Sequence, residues 1–369
     1  MKACMTPLLP SGFADRLPPH ADAAAAIEAR VLGVAHAHGY ERADPPLAEF
    51  ADALGSRLKA GALRDAVRFV DPVSQRTLAI RPDLTAQVAR IAATRMGHHP
   101  RPVRLSYAGP VLRLKATELS PARERRQIGC ELIGLDTVAA ATEVLGIAAE
   151  ALAAAGARGL SIDLTLPDLI DTLADVLPIP AGRIDTLRDR LDAKDAGAVA
   201  AIAPAYLPLI EAAGPFPRAL ERLRAFDTGG VLATRLDGLA ALARALDGRA
   251  QLTLDPTERH CFEYQSWLGF SLFVAGAGAE VGRGGTYTLL HESGAEEVAT
   301  GFSLFADALA ADGSAPARRR LFLPLDTPAA DGARLRADGW VTVAALEPSD
   351  TPEAQLCTHL WRGGAVEPL

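Results

Sequence analysis

Residues 104–134 constrain the fold most strongly, because a long polar segment there separates two apolar ones. The first apolar segment alternates apolar and polar side chains through Leu105 and Tyr107, a pattern that predicts a β-strand. The polar middle, 115–126, contains a Ser-Pro turn signal and predicts a loop. Residues 127–134 are apolar again and predict a second strand. We therefore expect an antiparallel hairpin with a long connection.

Three polar residues interrupt these strands: Arg113 near the end of the first, and Gln127 and Glu131 on the second. Because Gln127 and Glu131 are four residues apart, they project from the same face of a strand. On a half-exposed sheet such residues are simply solvated, which is the favoured interpretation for any one of them. On a buried face they either have partners within the protein or bind something polar, since an unpaired buried polar group is unfavourable.

The composition excludes several classes of protein. A chain of 369 residues is long enough for two or three units, and 49% hydrophobic residues can fill a sizeable core. The net charge of -7 argues against a nucleic-acid-binding surface. The four widely spaced cysteines match neither a zinc site nor a disulfide framework. No signal segment or membrane-spanning stretch is evident, so we expect a cytoplasmic protein without metal or membrane partner.

The chain before the hairpin alternates helix and strand signals. A helix is predicted over 21–38, and the strand that follows runs into Pro45-Pro46. Two short strands come next. The segment Arg-Pro-Asp-Leu-Thr at 81–85 then leads into another helix, and taken alone Asp83 or Thr85 is only its N-cap.

Beyond the hairpin we predict a helix over 137–156 and later a return to strands. Glycines 282, 284 and 285 are interpreted as a loop that permits tight turns and close approach of a ligand. In the last stretch, 318–369, we predict a strand, a helix and a second strand, followed by a turn-and-helix region around Cys357. The predicted domains are a core over 1–166, a mostly helical insertion over 167–250, the core continued over 251–316, and a small α/β unit over 317–369.

The stretch 104–134 resembles motif 2 of the class II aminoacyl-tRNA synthetases, in the form found in histidyl-tRNA synthetase. Residues 39–50 resemble motif 1, which forms the dimer interface in that family, and 298–310 resemble motif 3. The resemblance covers roughly residues 9–310. It implies an α+β fold, with an antiparallel sheet flanked by helices, a helical insertion and a small C-terminal α/β unit.

The resemblance also implies a set of histidine-binding residues. In the family, an Arg-Pro-acid-x-Thr segment holds the amino group of histidine, and Asp83 replaces the usual glutamate here. The predicted binding residues are Asp83, Thr85, Arg113, Gln127, Glu131, Glu263, Tyr264 and Tyr287.

The groups that would hold ATP depart from the family pattern. The motif 2 acid is replaced by Lys115, and the arginine that clamps the γ-phosphate at the end of motif 3 is Ala308. Thr286 and Thr288 occupy the Arg and Asp positions of the glycine loop. Loss of one buried charge partner is worth about 2–5 kcal/mol, so several such losses argue against adenylation. Only about half of an anticodon-binding domain follows motif 3.

These departures resemble the regulatory subunits of ATP phosphoribosyltransferase, a branch of the histidyl-tRNA synthetase family. That resemblance implies a non-enzymatic partner of the short catalytic subunit, required for the first step of histidine biosynthesis and conferring feedback inhibition by histidine. It implies no catalytic residue, no cofactor and no nucleic-acid partner, and a dimer formed through the motif 1 region. The alternatives are an active histidyl-tRNA synthetase and a free-standing paralogue that binds another amino acid.

Overall fold

The structure, a computed structural model, describes residues 9–55, 66–115, 121–259, 265–291, 293–310 and 319–369. The chain divides into two compact units, Met1–Gly313 and Ser314–Leu369. The finer boundaries predicted between core and insertion stay a prediction. Among the described helices, none is both long and apolar enough to cross a bilayer.

A large, mostly antiparallel sheet organises the first unit. Across it, the described strands are β1 (Glu41–Arg42), β5 (Val103–Leu112), β6 (Glu124–Ile133), β12 (Glu296–Phe305), β11 (Gly282–Leu290), β10 (Gln265–Phe273), β7 (Ser161–Thr165), β9 (Gln251–Leu254) and β8 (Gly214–Pro215). Strand β1 is parallel to β5 and β7 is parallel to β9, whereas the other neighbours are antiparallel. A separate three-stranded sheet contains β2 (Ala48–Phe50), β4 (Thr77–Ile80) and β3 (Arg68–Val70).

The predicted hairpin over 104–134 is confirmed as β5 and β6. Leu105 pairs with Glu131 and Gly109 pairs with Gln127, so the two polar residues share one face of the sheet, as their spacing predicts. The predicted motif 1 strand is shorter than expected. It is divided into β1 and β2, because Pro45-Pro46 cannot supply the backbone N–H groups of a continuous ladder.

The helices of the first unit cover both faces of the sheet. They are α1 (His20–Ala37), α2 (Ala51–Gly55), α3 (Thr85–Arg95), α4 (Val138–Ala154), α5 (Leu169–Ala174), α6 (Ile184–Asp192), α7 (Ala196–Ile202), α8 (Pro208–Glu211), α9 (Phe216–Phe226), α10 (Ala233–Ala245) and α11 (Ala306–Leu309), with a 3₁₀ turn at Pro204–Tyr206. Helix α3 packs against β5, β6 and β11, and α4 packs against β6 and β12.

The two faces of the sheet differ in chemistry. Beneath α4, the sheet buries the apolar side chains of Ile128, Leu132, Phe302 and Leu304. The opposite face, beneath α3, carries tyrosines, glycines and the polar residues of β6. The polar face under α3 is therefore the candidate site.

The glycines at 282, 284 and 285 do not form a loop, and that prediction was wrong. They lie within β11, paired with β10 on one side and β12 on the other. A Cβ on Gly284 would overlap both the Gly301 carbonyl oxygen and the Phe270 ring. These glycines therefore permit close packing within the sheet.

The second unit is a small α/β sheet in the order β14-β13-β15-β16. Its elements are β13 (Arg320–Leu323), α12 (Ala329–Ala337), β14 (Val341–Ala344), β15 (His359–Arg362) and β16 (Ala365–Pro368). The helix predicted around Cys357 is wrong, because turns there lead into the β15–β16 hairpin. Gly363 and Gly364, with φ of 58° and 87°, make its two-residue turn.

Candidate ligand-binding site

Glu131 is buried at the centre of the polar face and is only 1% exposed. Its carboxyl group accepts hydrogen bonds from the hydroxyls of Tyr107 at 2.8 Å, Tyr287 at 2.8 Å and Thr85 at 3.0 Å. Burial raises the pKa of Glu131 to about 8, although the three hydroxyl donors act in the opposite direction. The neutral, protonated form is therefore favoured at neutral pH in the free chain, and in that form one of the three hydroxyl contacts reverses, so that the carboxyl O–H donates to it.

Gln127 forms the second centre of the site, at the end where β6 begins. Its amide oxygen accepts from the backbone N–H of Leu84 at 2.9 Å, which fixes the start of α3. Its Nε2 donates to Asp83 Oδ1 at 2.6 Å and to Ser303 Oγ at 2.7 Å. Asp83 Oδ1 also accepts from the Thr85 backbone N–H at 3.0 Å. The amide therefore ties α3 to β6 and β12.

The two centres are joined through Ser303 and Tyr107, whose hydroxyl oxygens are 3.0 Å apart. Because Tyr107 donates its single proton to Glu131, its oxygen is free to accept from Ser303. Donation then runs in one direction, from Gln127 through Ser303 and Tyr107 to Glu131. We call this set the Glu131 network; it comprises Asp83, Thr85, Tyr107, Gln127, Glu131, Tyr287 and Ser303.

Glycines create the space that the Glu131 network fills. A Cβ on Gly301 would overlap the Glu131 carboxyl group, and a Cβ on Gly129 would overlap both the Tyr107 hydroxyl and the Phe302 carbonyl oxygen. The network is therefore packed directly on the backbone of β6 and β12.

The structure brings five of the predicted residues into one network: Asp83, Thr85, Gln127, Glu131 and Tyr287. Their role in binding a ligand stays a prediction. Glu263 and Tyr264 lie outside the described residues. Sequence reasoning missed Tyr107 and Ser303 as site residues. The hairpin register offered a signal for Tyr107, since it lies two residues from Leu105, the partner of Glu131.

Arg113 does not belong to the Glu131 network within the described part of the chain. Its backbone N–H donates to the Arg123 carbonyl, and its charge acts on Arg125, whose guanidinium stacks over the Phe305 ring at 3.4 Å. Burial, together with repulsion from Arg113 and Arg283, lowers the pKa of Arg125 to about 10. This end of the polar face therefore carries more arginines than the motif comparison suggests.

Two groups near this cationic end are engaged within the protein itself. Arg283 forms an ion pair with Glu280 at 2.5 Å. Asp307, the acid at the end of the motif 3 region, pairs with Arg16 at 3.0 Å and accepts from the Arg126 backbone N–H at 2.7 Å. These contacts stabilise the fold. Because they occupy the guanidinium groups of Arg283 and Arg16, they give no support to a phosphate clamp.

The raised pKa of Glu131 predicts a pH-dependent stability. Between its ordinary pKa of 4.5 and about 8, the folded chain holds a proton that the unfolded chain releases. The free energy of unfolding should therefore fall as pH rises through this window, by up to about 1.4 kcal/mol per pH unit from this group. Urea unfolding at pH 5, 6, 7 and 8 measures this free energy for the wild type and for Glu131→Gln. In the variant, the fall with pH that Glu131 contributes should be absent.

Glu221→Gln, on the exposed side of α9, is the matched control for removing a carboxylate elsewhere. Its pH dependence should follow that of the wild type. Equal slopes for wild type and Glu131→Gln would contradict the proton assigned to the buried carboxyl group.

Known proteins resemble this chain over nearly its whole length. A family model described as histidyl-tRNA synthetase matches residues 12–309. The ATP phosphoribosyltransferase regulatory subunit of Rhodospirillum centenum is 45% identical over 374 residues, covering 98% of this chain and 96% of that protein. The protein of the same name from Paramagnetospirillum magneticum is 44% identical and covers 98% of this chain and 97% of its own.

Solved structures show the same fold at lower identity. An ATP phosphoribosyltransferase regulatory subunit/histidyl-tRNA synthetase from Bacillus halodurans superposes with a TM-score of 0.79 at 23% identity, covering 96% of this chain and 97% of that chain. The histidyl-tRNA synthetase of Nostoc sp. PCC 7120 superposes with a TM-score of 0.76 at 15% identity, covering 95% of this chain and 90% of that chain. The chain therefore belongs to the family of ATP phosphoribosyltransferase regulatory subunits, non-catalytic proteins built on the class II synthetase fold.

Proposed function

We propose that this chain assembles with the short catalytic subunit of ATP phosphoribosyltransferase, binds histidine at the Glu131 network, and makes the complex sensitive to feedback inhibition. Family membership supports the partner. One observation supports histidine as the ligand. Two acceptor groups, Asp83 and Glu131, are linked by a single chain of hydrogen bonds on one face of the sheet.

The two ends of the network suit the two ends of histidine. Asp83 is half-buried, so a strongly hydrated ammonium group can reach its carboxylate, with the Thr85 hydroxyl nearby. Glu131 lies deeper, and its carboxyl group can accept an imidazole N–H in place of one of its present hydroxyl donors, Tyr107 or Tyr287, once that side chain moves aside. A small amino acid with a second donor at its far end satisfies both acceptors.

The network also offers a route from ligand to protein conformation. In the free chain Glu131 accepts from the protein's own hydroxyls, and Asp83 accepts from the Gln127 amide and the Thr85 backbone N–H, so histidine must replace some of those bonds. These bonds fix the start of α3 through Leu84 and Thr85, and β11 through Tyr287. A ligand that binds one arrangement of these elements better than another shifts the population of the complex.

Dimerisation through the motif 1 region is part of this proposal. Among the described strands, β1 is the last at one edge of the large sheet, and a second copy could pair with its outer side. The buried guanidinium of Arg81 donates to the carbonyl oxygens of Pro45 and Pro110 and so braces this segment against β5. Sedimentation equilibrium of the purified chain should give twice the monomer mass, and a monomer would contradict the dimer.

Reconstitution tests the function as a whole. Mixed with the short catalytic subunit, the chain should co-purify with it and raise its phosphoribosyltransferase activity, and histidine should inhibit only the complex. The chain alone should give no histidine-dependent exchange of pyrophosphate into ATP, because Ala308 replaces the arginine of the γ-phosphate clamp and Arg283 is already paired with Glu280. Clear exchange would instead support an active synthetase, and failure to co-purify would contradict the regulatory assembly.

A further inference from the structure

Arg125 lies on the polar face of the sheet, beside the Gln127 end of the Glu131 network. It precedes Gln127 by two residues on β6, and alternate residues of a strand point to the same face. Phe305 on β12 is the register partner of Gln127. The Arg125 guanidinium stacks over the Phe305 ring, with its carbon 3.4 Å from the ring centroid, so the side chain extends across the sheet toward Gln127. A cation therefore borders the network at the end remote from Glu131.

The guanidinium of Arg125 has no hydrogen-bonding partner within the described part of the chain. It donates no hydrogen bond and forms no ion pair there, whereas Arg283 is paired with Glu280. Arg125 is half-buried, so a small solute can reach its N–H groups. An arginine that stacks on an aromatic ring keeps its N–H groups free for bonds in the plane of the guanidinium. This side chain is therefore available to an acceptor from outside the protein.

The charges around Arg125 favour an anion. Burial and repulsion from Arg113 and Arg283 lower the pKa of Arg125 to about 10. The carboxylates of Glu280 and Asp307 act in the opposite direction, but each already bonds another arginine. A ligand carboxylate would offset the repulsion among the arginines. Its two oxygens also match two N–H groups of a guanidinium, which makes such a pair stronger than a neutral hydrogen bond.

Gln127 stands between this donor and the acceptor Asp83. Its Nε2 bonds Asp83 Oδ1 at 2.6 Å, and the Arg125 guanidinium covers its cross-strand neighbour, Phe305. The ammonium and carboxylate groups of an α-amino acid are attached to the same carbon atom, so they need an acceptor and a donor close together. Asp83 and Arg125 supply that pair. Glu131, farther along β6, is then left for the side chain of the ligand.

We propose that Arg125 binds the carboxylate of the amino acid held at the Glu131 network, and so selects an amino acid over the corresponding amine. The inference rests on the proposed function and supplies a contact for the third polar group of histidine. The resemblance to the synthetases implies no ligand contact at this position. One free guanidinium suits a single carboxylate, whereas a triphosphate needs several cations.

Histidine and histamine form the test pair, because histamine keeps the imidazole and ammonium groups but has no carboxylate. In titration calorimetry, the purified wild-type chain should bind histidine at least about tenfold more tightly than histamine. Arg125→Gln should weaken histidine binding by at least about tenfold, to an affinity close to that for histamine. Histamine binding should stay the same or tighten, because the substitution removes a like charge.

Arg126→Gln is the matched control. Arg126 is the next residue of β6, points to the opposite face and pairs with Glu28 on α1, so its loss removes the same charge away from the network. This variant should bind both ligands as the wild type does. Arg125→Lys keeps the charge without the paired N–H groups and should retain part of the preference for histidine. It is the second variant if circular dichroism shows that Arg125→Gln does not fold.

Four results would overturn this inference while leaving histidine binding in place. They are equal affinity of the wild type for histidine and histamine, unchanged histidine affinity in Arg125→Gln, an equal loss for both ligands in that variant, and the same effect in Arg126→Gln. A wild-type chain that binds neither ligand would instead contradict the proposed function, and this inference with it.

Discussion

Replacing Gln127 with alanine should raise the histidine concentration that half-inhibits the reconstituted complex by roughly 10- to 100-fold. The side chain is 2% exposed, bonds Leu84, Asp83 and Ser303, and links the two acceptor ends of the network. Loss of a buried hydrogen bond to a charged group is worth about 1.5–3 kcal/mol, and about 1.4 kcal/mol corresponds to a tenfold change in affinity.

Gln251→Ala is the matched control, because it makes the same substitution at an exposed position of strand β9. Both variants should still co-purify with the catalytic subunit and activate it without histidine. Inhibition that is unchanged in Gln127→Ala would place the histidine site elsewhere, for example at the boundary between subunits.

Gly129→Ala should have the largest effect on stability of the substitutions considered, lowering the free energy of unfolding by about 3 kcal/mol. The added methyl group meets the Phe302 carbonyl oxygen, which belongs to the paired strand β12 and cannot move independently of the sheet. It also meets the Tyr107 hydroxyl at the centre of the network. Overpacking of a rigid core is unfavourable by about 1–3 kcal/mol or more.

Gly33→Ala tests whether this effect is local. Gly33 lies within α1, and a Cβ there has no atom within 4 Å. Alanine favours a helix over glycine by up to about 1 kcal/mol, so this variant should be stabilised. Urea unfolding followed by far-ultraviolet circular dichroism measures both. Wild-type stability in Gly129→Ala would show that the network is not packed on the strand backbone.

The sequence predicted the hairpin and its polar face because both follow from local alternation. A period of two places Gln127 and Glu131 on one side wherever the strand lies, and the register then follows from the pairing of β5 with β6. The family motif located Asp83 and Thr85 at the start of α3, where the structure places them against that face. These parts of the site depend on short stretches of chain.

Long-range packing was harder to predict. Ser303 joins the network from β12, 176 residues from Gln127 along the chain, and no local pattern indicates that contact. The glycines of β11 were assigned to a loop because the need for close strand packing at Phe270 is visible only in three dimensions. The hairpin across Gly363 and Gly364 did have a local signal, a Gly-Gly pair between two short alternating strands.

The arginines near motifs 2 and 3, where the family holds ATP, show why single missing residues are an incomplete guide to phosphate binding. Ala308 lacks the expected cation, but Arg113 and Arg283 lie close enough to Arg125 for their charges to interact with it. What argues against a phosphate clamp is that Arg283 is already paired with Glu280 and that Asp307 anchors Arg16. Charge neutralisation of a triphosphate needs cations that are free to turn toward it.

Titration calorimetry of the purified chain with histidine, in wild type and Gln127→Ala, tests the central claim most directly. We expect one histidine per wild-type chain without added nucleotide, and at least tenfold weaker binding in the variant. Equal affinity in the two proteins, or binding that requires the catalytic subunit, would contradict histidine recognition by the Glu131 network.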